Sequence, residues 1–194
     1  TQILEHHKGL IKNIFNFEAK IRHHSDKTKN AFILEINNIK IIRFLEKNFP
    51  EIFLKTKGIS VPEKIMNSSL NIQGAFIRGI ADADGTVKDC FEICSYSQKM
   101  LEDLQYLFSL QGMPATLSLQ DNKVGLKSNY SINEFCNKIG FSMDYKQEKL
   151  KQLSAQNMEK IIRARSVPDE VIAQAEEINA DLIVLASQKK SAMG

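Results

Sequence analysis

The sequence predicts an α+β fold, with one complete αββαββα unit preceded by the back half of another. Three observations predict it. Apolar residues at helical spacing alternate with short segments of period two. The order helix, hairpin, helix at 1–50 recurs at 98–140. Only the second copy is preceded by a further helix and two strands.

Taken in order, Thr1 to Asn16 forms a helix with Ile3, Leu4, Leu10, Ile11 and Ile14 on one side. Phe17–His23 and Ala31–Ile36 alternate as two strands around the basic turn S-D-K-T-K-N. Ile39 to Phe49 returns as a helix with Ile41, Ile42, Phe44 and Leu45 inward. A connector with Pro62 leads to a helix for which Asn67, Ser68 and Ser69 offer an N-cap. Strands follow at Gly85–Asp89 and Cys90–Ser97, then a helix over Gln98–Gln111 stopped by Gly112. A second hairpin turns at Asp121-Asn122, a short helix from Tyr130 ends at Gly140, and a last helix runs from Met143 to about Arg165.

The centre of the chain is I-Q-G-A-F-I-R-G-I-A-D-A-D-G-T-V, Ile72 to Val87. Ile72, Ala75, Phe76, Gly79, Ile80 and Ala83 make one apolar helical stripe, with Gly74 and Gly79 on or near it. Each glycine costs a helix about 1 kcal/mol against alanine, which close approach of a second helix would justify. Gly85 is expected to end the helix in the left-handed conformation. Asp82 and Asp84 stand where the helix dipole is negative, a placement costing roughly 0.3–1 kcal/mol each when exposed. A bound divalent cation with oxygen ligands would reverse that penalty. Read alone, D-A-D-G is an ordinary turn; the glycine-striped helix that delivers it favours a metal site.

Composition sets outer limits. The 194 residues, 43% hydrophobic, suffice for one large or two small domains. The net charge is +3, and residues 1–60 hold 11 Lys/Arg against 6 Asp/Glu, compatible with phosphate contacts. Cys90, Cys94 and Cys136 make no metal-type pair and an odd count, pointing to a reducing compartment. His6-His7 and His23-His24 are adjacent pairs that do not share one helical face, so a zinc site is not expected. No apolar run reaches the ~20 residues that span a bilayer, and no signal peptide is visible. A soluble, cytoplasmic protein is expected.

Ile77 to Gly85, I-R-G-I-A-D-A-D-G, resembles the LAGLIDADG motif of homing endonucleases, matching at Gly79, Asp82, Ala83, Asp84 and Gly85. It departs at Arg78, where the motif has alanine, and at Ala81, where it has isoleucine. Val61 to Met66, V-P-E-K-I-M, resembles the V-P-x-x-I segment that precedes the second motif copy in intein-type enzymes. The resemblance covers about residues 1–153, as a partial repeat at 1–58 and a complete unit at 59–153, leaving a tail at 154–194.

The resemblance implies two acid-tipped helices packed together, in a pseudo-symmetric monomer or a homodimer, here through Gly74 and Gly79. It implies sheets lying in the major groove of double-stranded DNA, and helix tips whose acids hold Mg2+ beside the scissile phosphates. Asp84 matches the metal-ligating acid and the Ala83 carbonyl its backbone ligand. Gln98 resembles the polar residue near the attacking water, and Lys127 the lysine that polarises the site; a solvated strand-end lysine is as good a reading of Lys127. Hairpin candidates for DNA contact are Lys20, Arg22, Lys27, Lys29, Lys88, Ser118, Gln120 and Lys123. With one acid-tipped helix, the chain carries half of a two-half site. Three functions are in play: endonuclease, active or a truncated or inactive remnant; non-catalytic DNA- or RNA-binding module; and nucleotide binder. The last comes from the tail, where A-D-L-I-V-L-A-S resembles the universal stress protein family. Ala186 there replaces the glycine that opens the family's nucleotide loop, so ATP binding is not expected.

Overall fold

The structure, a computed structural model, describes residues 2–24 and 32–156. Thr1–Ser154 group into one compact unit and Ala155–Gly194 into a second, of which only the first two residues are described. The tail reading, Lys27 and Lys29 therefore lie outside the described residues.

The first segment is α1 (Gln2–Phe15), β1 (Lys20–His23), β2 (Phe32–Glu35) and α2 (Ile39–Asn48). Asn38 caps α2, its side chain accepting from the amides of Lys40 and Ile41 at 3.0 and 3.4 Å. Two 3-10 turns, Pro50–Phe53 and Thr56–Gly58, and the short α3 (Glu63–Met66) lead to α4 (Leu70–Asp84). Then come β3 (Gly85–Val87), β4 (Phe91–Cys94), α5 (Gln98–Leu110), β5 (Thr116–Ser118), β6 (Lys123–Leu126) and α6 (Asn129–Lys138). Helical residues 144–156 form α7. The α+β reading is right, and the second segment has the expected αββαββα order.

Two antiparallel sheets result, β1-β2 and a four-stranded sheet ordered β3-β4-β6-β5. The four-stranded sheet places Phe91, Ile93, Val124 and Leu126 on its inner face against α5 and α6, all fully buried. Every residue of the main core cluster lies between Val61 and Leu153. The first segment buries little, Ala19 and Ile41, and leaves Leu10, Ile14, Phe32, Ile33 and Phe44 exposed. A two-stranded sheet flanked by helices has too little apolar face to close a core.

Three local expectations are corrected. Ser69 stands at the N-cap of α4 but makes no side-chain cap; Gln73 instead donates to the carbonyls of Met66 and Ser68 at 2.9 and 3.2 Å. Gly85 is extended, with φ −74° and ψ 139°, so no left-handed turn ends α4. Glycine is needed for space, because a Cβ there would collide with the Ala81 carbonyl. The chain passes straight from helix to strand, which fixes the tip of α4 to the start of the sheet. Gly112 and Gly140, at φ +76° and +63°, do supply left-handed stops. The apolar stripe is also divided. Phe76 and Ile80 pack on the core, whereas Ile72, Ala75, Gly79 and Ala83 are exposed. The buried face of α4 is Gln73, Gly74, Ile77, Ala81 and Asp82.

Candidate functional site

The two acids of D-A-D have different jobs. Asp82 is buried, and its Oδ1 accepts the Ser142 amide at 3.0 Å. It holds the loop after α6 to the helix end. Asp84 is exposed and lines a cleft of 460 Å³ with Thr56, Ile59, Cys94, Ser95, Tyr96, Asp121 and Asn122. Sheet register explains this company. Gly85 pairs with Ile93, and Cys94 pairs with Lys123, so the end of β4 and the β5-β6 turn both lie at the Asp84 end.

The negative end of α4 meets a cation of the chain itself, which sequence reasoning missed. Lys146 Nζ donates to the carbonyls of Asp82 at 2.7 Å and Ala81 at 3.1 Å, over the Phe141 ring at 5.6 Å from its centroid. A cation at a helix C-terminus stabilises it by about 0.3–1 kcal/mol, more when partly buried. Burial pushes the Lys146 ammonium below the usual lysine range, against the pull of the Asp82 and Asp84 carboxylates. Nothing local in F-S-M-D-Y-K marks this lysine; only the return of α7 to the tip of α4 reveals it.

Ala83 and Asp84 present a main-chain carbonyl and an exposed carboxylate, both hard oxygen donors that suit Mg2+. Two donors are few, but Mg2+ keeps several waters and shares substrate phosphates, so the pair fits as a partial site. No cluster of three or more His, Cys, Asp or Glu able to hold a metal occurs among the described residues.

The other expected residues are not all gathered here. Gln98 is the exposed first residue of α5, two positions after Tyr96. Lys127 follows Leu126, which pairs with Phe91, and so stands at the far end of β6 from Asp84. Its charge acts on Cys90 there. Lys88 is exposed in the β3-β4 turn at that same far end. Lys123 is at the Asp84 end but pairs with Glu92 at 3.1 Å and Asp121 at 3.9 Å. Ser118 donates to Asp121 at 2.9 Å, and Gln120 is exposed in the β5-β6 turn. On β1, Lys20 is exposed and Arg22 is paired with Glu35. The outer face of the four-stranded sheet is therefore polar with its charges paired, less basic than the hairpins suggested.

Gly74 faces inward, where a Cβ would touch Ile139 and Gln111 at 3.7–3.8 Å. Gly79 faces open space, with nothing within 4 Å of a Cβ. Arg78, the departure from the motif, donates Nε to the Ile139 carbonyl at 2.8 Å and ties α4 to the end of α6. Val61, of the segment before the motif, is buried and donates its amide to Asp103 of α5 at 3.2 Å.

This arrangement of a helix, two strands, a helix, two strands and a helix, with the acidic tip at the sheet start, agrees with comparison to known proteins. The family model of the LAGLIDADG-like domain matches residues 71–163, just under half of the chain, so this segment is similar to that family. The chain is 28% identical over 164 residues to a glutamine--fructose-6-phosphate aminotransferase [isomerizing] of Methanocaldococcus jannaschii, covering 78% of this chain and 15% of that protein. It is 32% identical over 130 residues to a probable translation initiation factor IF-2 of Thermococcus kodakarensis, covering 63% of this chain and 11% of that protein. The chain thus spans a small part of each. No described helix is long and apolar enough to cross a membrane.

Proposed function

We propose that this chain supplies one half of a metal-dependent DNA endonuclease site of the LAGLIDADG type. The observation that carries the reading is the division of labour at the end of α4: Asp82 is spent inside the fold, while Asp84 is left exposed in a cleft beside the Lys146 ammonium. Mg2+ held by Asp84 and the Ala83 carbonyl would supply charge neutralisation and an acidified water for phosphodiester hydrolysis. Lys146 holds positive charge at the helix tip, where a phosphate would add negative charge. Asp82 and the Gly85 amide, which donates to Ala81, fix the tip in place. Gln98, exposed at the start of α5 two residues after Tyr96, would orient a water, whereas Lys127 stands at the far end of β6.

The complementary half comes from a second acidic tip. The exposed face Ile72, Ala75, Gly79 and Ala83 of α4 would accept it, with Gly79 as the point of close approach; a second copy of this chain is the simplest source. The two relatives support an inserted, intein-type module. Their names denote unrelated activities, so the stretch they share with this chain carries a property of its own.

The test is duplex affinity against salt, followed by nicking. With about four phosphate contacts, affinity for a 30-bp duplex should fall roughly a hundredfold between 50 and 200 mM salt. Nicking of a plasmid library with randomised inserts should need Mg2+. Salt-dependent binding without nicking would reduce the protein to a binding module, and salt-independent or absent binding would remove the nucleic-acid reading.

A further inference from the structure

Resting on that reading, we infer that Tyr96 is a stacking platform for an unstacked nucleobase next to the strand that Asp84 addresses. Among the described residues Tyr96 is the most exposed of the large apolar and aromatic side chains, at 74%. A single exposed aromatic is unremarkable on a surface; what sets this one apart is the firmly held backbone that carries it and its place in the lining of the Asp84 cleft. Its neighbours on both sides are pinned. The Ser95 amide donates to the Asn122 carbonyl at 3.0 Å. The Ser97 amide donates to Ser95 Oγ at 3.2 Å. Ser97 Oγ donates to the Ile59 carbonyl and accepts the Met100 amide at 3.2 Å. Ser97 is fully buried. An aromatic ring is thus presented on a rigid strand-to-helix junction, at the mouth of the Asp84 cleft.

Asn122, beside Ser95 in the cleft lining, is held through its carbonyl by the Ser95 amide and through its own amide by the Leu119 carbonyl at 3.3 Å. Its backbone is left-handed at φ 52°, which asparagine tolerates better than most residues. The cleft's 460 Å³ is in the range that holds a small organic group. A planar face and a wall amide able to donate and accept form a site for a base, Asp84 would reach the adjoining phosphate through a bound cation, and every base has a face to stack. Stacking on an aromatic is worth about 5- to 150-fold in affinity per base. A duplex must first unstack, and that cost is least where a base is already unpaired. The substrate class that follows is duplex DNA with an unpaired or easily unstacked step at the site of attack.

The test compares a 30-bp duplex with the same duplex carrying a central two-nucleotide bulge, by fluorescence anisotropy with EDTA present so that no strand is cut. The wild type should bind the bulged duplex at least about fivefold more tightly. Tyr96→Ala should lose that preference and keep affinity for the paired duplex within about twofold; Tyr96→Phe should keep both. Circular dichroism melts check that the variants are folded. Binding to the paired duplex with no bulge preference, or a preference that survives Tyr96→Ala, overturns this inference and leaves the endonuclease reading standing. No binding to either duplex overturns both.

Discussion

Asp84→Asn is expected to abolish Mg2+-dependent nicking, by a factor of about a thousand or more, with duplex affinity unchanged within about twofold. The size follows from the role. Metal-assisted charge stabilisation is worth several kcal/mol, and each 1.36 kcal/mol is about tenfold in rate. The selectivity follows from the geometry. Asp84 is exposed, and the helix end it occupies is held by the Gly85 amide, by Lys146 and by Asp82. Removing one exposed carboxylate leaves those contacts intact. Asp82→Asn is the instructive contrast, because it weakens the acceptor of the Ser142 amide in a buried position. A charged hydrogen bond of that kind is worth about 1.5–3 kcal/mol, so this variant should lower thermal stability. Parallel melts and plasmid-nicking assays on the two variants read both effects. Equal loss of nicking with no difference in melting would contradict the division of labour between the two acids.

Phe91→Ala is expected to cost about 3–5 kcal/mol, the range for deleting a buried aromatic. Phe91 is fully buried and stacks on Phe135 with ring centroids 4.3 Å apart. Its other neighbours are Phe108 and Phe141, edge-on at 6.2 and 5.6 Å. The ring therefore joins β4 to α5, α6 and the loop before α7. Against a total of about 5–15 kcal/mol for an ordinary domain, the loss would be a large share of the stability. Urea denaturation followed by circular dichroism measures it. A change under about 1 kcal/mol would show that the core is not centred on this ring.

Much of the fold was legible because hydrophobic period is a local signal. The alternation in Phe17–His23 and the spacing of Met100, Leu101, Leu104, Leu107 and Phe108 each specify an element without knowledge of the rest, and all five of those helix residues are buried. Gly112 and Gly140 were legible as stops because a left-handed turn requires so little else. Gly85 departs from that rule: a glycine after a helix usually answers a backbone angle, and here it answers the nearness of the Ala81 carbonyl. Which glycine of α4 faces outward was not legible either. Gly74 and Gly79 look alike in sequence, and only the position of Ile139 separates them.

The site was legible where the chain is continuous and obscure where distant elements meet. D-A-D-G announces an acidic tip, but not that Asp82 is committed to Ser142, sixty residues away. Lys146 and Tyr96 carry no local mark, because their surroundings are assembled by the return of α7 and by the β5-β6 turn. The resemblance points to Lys127 by its position at a strand end, and antiparallel register carries that strand end away from Asp84. Arg78, odd against the motif, makes sense once the Ile139 carbonyl is beside it.

The central claim is that the carboxylate of Asp84 takes part in holding a divalent ion beside a nucleic-acid backbone. Mn2+ uptake followed by electron paramagnetic resonance, with a 30-bp duplex present, addresses it without any need for turnover. The account predicts saturable uptake by the wild type that is weakened at least about tenfold in Asp84→Asn and unchanged in Asp121→Asn. Equal uptake by the wild type and Asp84→Asn would contradict it.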